Sequence, residues 1–501
     1  MKTKLLSMIL AIMMIATLCT GFAGTVSAAD GIAKADNVVF VADFGSDEAA
    51  GTAAAPVQTL MKAVEKLAAN GGVAVIMGVT TIDTTNSYMP EHNGTITVTS
   101  YYDGVDYRAK LSGGDKLGAR LVLKNGTTFA FSFNGDFVFD YINICVPGSS
   151  FKQPIICGNY HNVTFGANIT TLYEDEEGNA WFDGTFGADT AARYYPPIFM
   201  SGSNKDVSEG GKTYDNKVEI NVHGGDWMTI RIGDRDLATR NTLDGESVLN
   251  ITGGRFSSFT AKIFDQINSN LCILALYQAN STANFKSTVN ITGGQYFGNI
   301  SAIGAFNYQS QGNVEQHGTF IVNILGGTFS REYNYDGTYL VPTQYTDPTI
   351  TQTAATVTYG PTCNVTFNID TNKITMDPVE ALVMGYITDC PFPVNVNVTE
   401  KKDWFYTDGY AEGDIKYGPL PEKTETPTTT APTVTDAPVV TDAPVVTDAP
   451  VVTTAAPVVT TATPVQPEPT PSTGDASLMV VFAAAAVICL AAVVVIKKRE
   501  N

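Results

Sequence analysis

The clearest pattern along the chain is a strand motif that returns four times in one register. Val218-Glu219-Ile220-Asn221-Val222-His223-Gly224-Gly225-Asp226-Trp227 is followed by Leu249-Asn250-Ile251-Thr252-Gly253-Gly254-Arg255-Phe256. Val289-Asn290-Ile291-Thr292-Gly293-Gly294-Gln295-Tyr296 and Val322-Asn323-Ile324-Leu325-Gly326-Gly327-Thr328-Phe329 complete the set. In each copy the apolar residues flanking the asparagine fall on one face and the asparagine on the other, as the period-two alternation of a strand requires. Equivalent registers predict stacking of aligned positions. Val222, Ile251, Ile291 and Ile324 form an inward aliphatic column, and Trp227, Phe256, Tyr296 and Phe329 an aromatic one. Asn221, Asn250, Asn290 and Asn323 form an outward ladder whose amides bond from rung to rung. The glycine pairs provide a bend in which a side chain at positive φ would clash. Successive pairs lie roughly 29 to 40 residues apart, so rungs differ by insertions at their turns.

Weaker rungs are expected at Phe137 to Ile144, Asn162 to Phe165 and Asn364 to Phe367. Near the start, Val57, Leu60, Met61, Val64, Leu67 and Ala68 recur at helical spacing, with Pro56 in the first turn and Gly71-Gly72 after the end. That helix lies between two apolar strands, Val38 to Ala42 and Val73 to Met77. The fold class expected is all-β: a parallel β-helix solenoid with an N-terminal capping helix. A string of β-sandwich domains is the competing architecture, but sandwiches do not repeat one strand motif in equivalent registers.

The ends differ from this body. Lys2 and Lys4, an apolar run from Leu5 to Leu18 and the small-x-small ending Val26-Ser27-Ala28 predict a signal peptide over residues 1–28, cleaved after Ala28. A lipoprotein at Cys19 is disfavoured by Leu18, where a small residue is needed. Residues 30–420 form the ectodomain, with 30–80 as its N-terminal region. Residues 421–470 collapse to Pro, Thr, Val, Ala and Asp, a disordered stalk that at about 3.1 Å per residue reaches on the order of 100 Å or more. From Ala476 to Ile496 the chain is uncharged and about long enough to cross a bilayer, and Lys497-Lys498-Arg499 follow.

Thr470-Pro471-Ser472-Thr473-Gly474 directly before that span resembles the cell-wall sorting signal of Gram-positive bacteria, with Thr470 where leucine is common. The resemblance implies a sortase that recognises Pro471, Thr473 and Gly474, cleaves after Thr473 and joins it to peptidoglycan. Residues 470–501 are then a sorting signal, and the membrane is met only through this segment before sorting. The localisation implied is secreted, on the cell wall or surface. A plain membrane anchor is the alternative.

The opening Phe40 to Asp47, Ala55-Pro56, the helix and Gly71-Gly72 resemble the N-terminal cap of right-handed β-helix proteins of the pectate-lyase-like superfamily. That superfamily includes polysaccharide lyases, glycoside hydrolases and adhesins, so the fold leaves activity open. The formal net charge of −20 excludes nucleic acid as a natural partner. Five of the seven cysteines fall in the ectodomain, an odd number that is no disulfide framework, although Cys145 with Cys157 stays open.

Hydrolases of the family need converging carboxylates, yet no Asp-Asp pair occurs anywhere. The nearest lyase-like cluster is Asp226, Arg231, Asp234, Arg235 and Asp236, whose plain alternative is a solvated loop with internal salt bridges. No cofactor is assigned; Ca²⁺ on such carboxylates stays open, and so does a cation at Glu174 to Glu177. The four histidines, His92, His161, His223 and His317, are few and unclustered in sequence, so no histidine metal site or triad is suggested. Tyr194, Tyr195, Trp404, Tyr406 and Tyr410 are candidates for stacking on sugar rings, with core packing or closure of the solenoid end as the alternative. The function expected is a wall-displayed module that binds a polysaccharide or a host or neighbour surface without turnover. The runner-up is a wall-anchored lyase or hydrolase.

Overall fold

The computed structural model describes residues 37–421, except for 84–87, 109–117, 125–129, 148–154, 175–179, 182–195, 204–210, 235–240, 257–270, 278, 307–313, 330–342, 353–356, 377–380, 386–391 and 409–414. Ala28, the stalk, Pro471, Thr473, Gly474 and the apolar C-terminal segment lie outside the described residues. Among those described, no helix is long and apolar enough to cross a membrane.

Apart from one helix, the regular structure of the described residues is all strand, laid mainly in long parallel sheets. From Lys217 onward the chain visits three of these sheets in a fixed order, and a short further strand, Thr242–Leu243, Asn280–Ser281 or Val314–Gln316, leads into the next circuit. Lys217–Val222, Asp226–Trp227 and Thr229–Gly233 make one circuit; Glu246–Ile251, Arg255–Phe256 and Leu271–Tyr277 the next. Lys286–Ile291, Gln295–Tyr296 and Asn299–Phe306 follow, then Thr319–Ile324, Gly327–Phe329 and Thr343–Gln352. First strands join a 12-stranded sheet, second strands a five-stranded one and third strands a nine-stranded one. Every pairing in the 12- and nine-stranded sheets is parallel. Parallel neighbours reached only after a full circuit are consistent with a β-helix. Stacked sandwich domains would instead pair strands antiparallel.

The predicted columns are present. Val222, Ile251, Ile291 and Ile324 are paired coil to coil and fully buried. Trp227, Phe256, Tyr296 and Phe329 are likewise in register, with Phe256 and Tyr296 stacked 5.1 Å apart at 9°. Both columns belong to one continuous core that also takes in Val163, Phe165, Val365 and Phe367, so two of the weaker rungs are real. The third divides: Phe137–Phe139 joins the long sheet and Asn143–Pro147 another, because Tyr141 turns the chain at φ 49° while the Asp140 carboxylate accepts from the Tyr141 and Asn168 amides.

The two glycines of each pair do different work. Gly225, Gly254, Gly294 and Gly327 take positive φ, at 84°, 97°, 91° and 102°. The first members are required by proximity: a Cβ on Gly253 or Gly293 would strike the carbonyl of His223 or Thr252 in the preceding coil. A tight coil-to-coil stack at this corner therefore needs glycine twice.

The helix spans Leu60–Leu67, starting later than the periodicity suggests. Thr59 is its N-cap, accepting from the Lys62 amide at 3.2 Å, and Asp47 fixes that residue by accepting from the Thr59 amide and hydroxyl. Val57 instead bridges to Val41, and Phe40 exchanges backbone bonds with Gly51 and Val57. The outer edge of the first strand is thus engaged by its own loop. Leu60, Ala63, Val64 and Leu67 bury against the first two strands.

Cys145 and Cys157 are buried thiols on different sheets, so the pairing left open by the sequence is not made.

Candidate functional site

Alternation leaves one face of each long-sheet strand pointing away from the core. Asn250 donates to Asn221 at 2.9 Å, Asn290 to Asn250 at 2.9 Å and Asn323 to Asn290 at 2.8 Å. The ladder runs further than the four repeats: Asn368 donates to Asn323 at 2.7 Å and Asn397 to Asn368 at 2.8 Å. Asn221 ends it by donating to the Thr164 hydroxyl at 3.4 Å. All the amides donate in one direction, so their dipoles add, and the column continues into Lys416, a cation at the oxygen-bearing end. Each amide has a second N–H and a second lone pair outside the ladder; Asn250 turns its amide nitrogen to Glu219 Oε1 as well, at 3.4 Å.

Beside the ladder, Lys217, Glu246 and Lys286 align, with lysine nitrogens 4.0 and 3.5 Å from the Glu246 carboxylate. On the other side His223 Nδ1 lies 2.7 Å from the Thr252 hydroxyl, and Thr292 is exposed in the next coil. On the four repeat strands of the long sheet the outward charges are Lys217 and Lys286 against Glu219 and Glu246, which cancel on a chain of net charge −20. Across these four strands the face is periodic and formally neutral.

The lyase-like cluster is spread along a strand. Asp226 stands on the short-strand sheet beside Arg255, and burial pushes its carboxyl above the usual range while Arg255 opposes the rise. Arg231, on the nine-stranded sheet, rests 4.5 Å from the Tyr277 ring centroid and donates from Nε to Thr229; burial lowers its pKa from the ordinary arginine value. Asp234 is fully buried rather than solvated. Its carboxylate accepts from the Tyr160 hydroxyl at 2.7 Å, the Ser203 amide at 2.8 Å and Asn241 at 3.1 Å. Burial, and after it the Asp234 charge, drive the Tyr160 hydroxyl well up; the same two causes in the same order push Tyr214, packed 3.9 Å away, to about 12. Strand Thr229–Gly233 separates Asp226 from Asp234 by roughly 16 Å of extended chain. Asp236 lies outside the described residues.

Trp404 packs half-buried against the core and Tyr406 is exposed; Tyr194, Tyr195 and Tyr410 lie outside the described residues, as do residues 175–177. No group of three or more His, Cys, Asp or Glu side chains placed to hold a metal occurs among the described residues. His161 is 3.9 Å from Asp136, with burial lowering its pKa against that carboxylate, and His92 is packed edge-on against Phe137.

One grouping has no counterpart in the sequence pattern. His317 lies between Glu315, at 2.9 Å from Nε2, and the Thr362 hydroxyl, at 3.1 Å from Nδ1. Forty-five residues separate His317 from Thr362, and the pairings of Val314–Gln316 with Val357–Tyr359 and of Thr319–Ile324 with Asn364–Ile369 close that gap from both sides.

No protein-family model matches the chain, and no curated protein or solved structure matches it.

Proposed function

We propose that this chain is a surface-displayed right-handed parallel β-helix that holds a neutral glycan on the outer face of its long sheet without cleaving it. The observation that carries the reading is the charge-balanced face of amides and hydroxyls on an otherwise acidic chain. At about 4.8 Å per coil the six-asparagine ladder spans roughly 24 Å, the length of a short oligosaccharide segment. Sugar hydroxyls both donate and accept, so they match the remaining amide N–H groups, lone pairs and threonine hydroxyls. An acidic polymer would meet the field of the whole chain.

The rest of the molecule serves display. The helix Leu60–Leu67 closes the N-terminal end, and Trp404 with Ile415 closes the other. A signal peptide ending at Ala28 exports the chain. The Pro/Thr-rich stalk lifts the ectodomain, and a sortase reading Pro471, Thr473 and Gly474 joins Thr473 to peptidoglycan. The order of these segments in the sequence supports this part.

Placing arginine at Thr288 and Thr292 together tests the face. Both sit outward beside the ladder, so stability should change by only about 0.5 kcal/mol per site. Retention of the full chain on a neutral polysaccharide that binds the wild type should fall about tenfold or more, a loss of about 1.4 kcal/mol. Unchanged retention would place the ligand elsewhere.

A further inference from the structure

For a neutral imidazole, the geometry of the Glu315, His317 and Thr362 grouping selects one tautomer. An ionised carboxylate only accepts hydrogen bonds, so the nitrogen facing Glu315, Nε2 at 2.9 Å, carries the imidazole proton. In the neutral ring the other nitrogen is then bare. Nδ1 can only accept, and the Thr362 hydroxyl at 3.1 Å must be the donor. This is the arrangement in which a hydroxyl is ready to pass its proton to an oriented base. His223 and Thr252 share the imidazole–hydroxyl contact, at 2.7 Å, but no carboxylate partner fixes that ring's tautomer among the described contacts.

The surroundings hold the ring in place. The His317 amide donates to Ser281 Oγ at 3.0 Å and its carbonyl accepts from the same hydroxyl at 2.8 Å. The Glu315 amide donates to Asn280 Oδ1 at 2.9 Å. Gly360 lies directly against the imidazole, where any Cβ would collide with Cε1 and Nδ1, so this turn accommodates the ring only as glycine. The turn is closed by the Cys363 amide on the Gly360 carbonyl at 3.0 Å, and by the Asn364 amide on Gly318 at 2.9 Å. Thr362 itself is exposed, so an acyl group can reach it.

We propose that Thr362 is a nucleophile toward small carboxylic esters, with His317 as its general base and Glu315 as the positioning residue. The Thr362 oxygen adds to the ester carbonyl as His317 Nδ1 takes its proton. The carbon–oxygen bond to the alcohol breaks, and the imidazolium returns the proton to the departing alkoxide. Water then adds to the acyl-threonine with the same base assisting, releasing the carboxylic acid and restoring the hydroxyl. The substrate class is an O-acyl ester, such as an acetyl group on a sugar hydroxyl. The site lies in the turns that lead into the long-sheet strands Thr319–Ile324 and Asn364–Ile369, and its chemistry does not depend on glycan binding to that sheet. Because the turn is open, solvent stabilises the tetrahedral oxygen, and the acceleration expected is that of base assistance alone, about a hundredfold.

The test uses the full chain in mild detergent with p-nitrophenyl acetate. Nitrophenol release should fall about a hundredfold to background in Thr362→Val, which keeps the shape, and persist in Thr362→Ser, which keeps the hydroxyl. Glu315→Ala should lower kcat with little change in KM, and Glu315→Asp should recover part of the loss. An acid-quenched wild-type sample should carry one acetyl group on the peptide containing Thr362. Equal rates in wild type and Thr362→Val, or the acetyl group on another residue, would overturn the proposal. Matching circular dichroism of all variants ensures that a lost rate reports chemistry rather than unfolding.

Discussion

Truncating Tyr296 to alanine should cost roughly 3–5 kcal/mol of stability. The ring is completely buried, stacked 5.1 Å from Phe256 and 5.4 Å from Phe329, and its hydroxyl donates to the Gly293 carbonyl at 2.7 Å. Removing it opens a cavity in the middle of the aromatic column and takes away a buried donor at the glycine corner. Coils contact mainly their neighbours, so the damage should be local. Urea unfolding should shift to lower concentration, and amide exchange should accelerate first around Gly254 to Phe256 and Gly327 to Phe329. An unchanged midpoint would mean that this column does not hold the coils together.

Asn290→Asp should cost about 2–4 kcal/mol at neutral pH, and the cost should depend on pH. Asn290 is nearly buried, donating to Asn250 at 2.9 Å and accepting from Asn323 at 2.8 Å. An ionised carboxylate there keeps the second bond but turns an acceptor toward the Asn250 oxygen. The neutral acid regains an O–H donor, so the folded state favours the protonated form and raises the new carboxyl's pKa above its unfolded value. The deficit is therefore smallest below the unfolded pKa and reaches its full size once the pH has risen through the folded pKa. Urea midpoints at acidic and neutral pH, with Asn290→Ala as a variant that cannot titrate, measure this. Equal deficits at both would mean that the amide is not a ladder donor.

The parts of this molecule legible in its sequence are those with a period. The alternation around Asn221, Asn250, Asn290 and Asn323, repeated in one register, fixes which residues stack, and Asn368 and Asn397 extend the same column. The first glycine of each pair is less legible, because its constraint comes from a carbonyl of the previous coil rather than from its own φ. The helix start was displaced for a similar reason: Val57 has helical spacing but pairs with Val41, a contact made across the strand.

Side-chain groupings that depend on the return of the chain after a circuit leave no local trace. Asp234 sits in a charged stretch that reads as a solvated loop, and only the coil below supplies Tyr160 and the neighbouring turn Ser203. His317 and Thr362 are brought together by strand pairing one circuit apart. Variable turn lengths make the sequence distance between such partners irregular, so no fixed spacing reveals them.

The central claim is a charge-neutral binding face without glycan cleavage. Its most direct test passes the full chain over immobilised neutral and acidic polysaccharides, scoring retention together with release of reducing or unsaturated ends, with and without Ca²⁺. The account predicts retention on at least one neutral polymer, little on acidic ones, and no new chain ends in either condition. Release of unsaturated or reducing ends would contradict it and turn attention to Asp226, Arg231, Asp234 and Asp236.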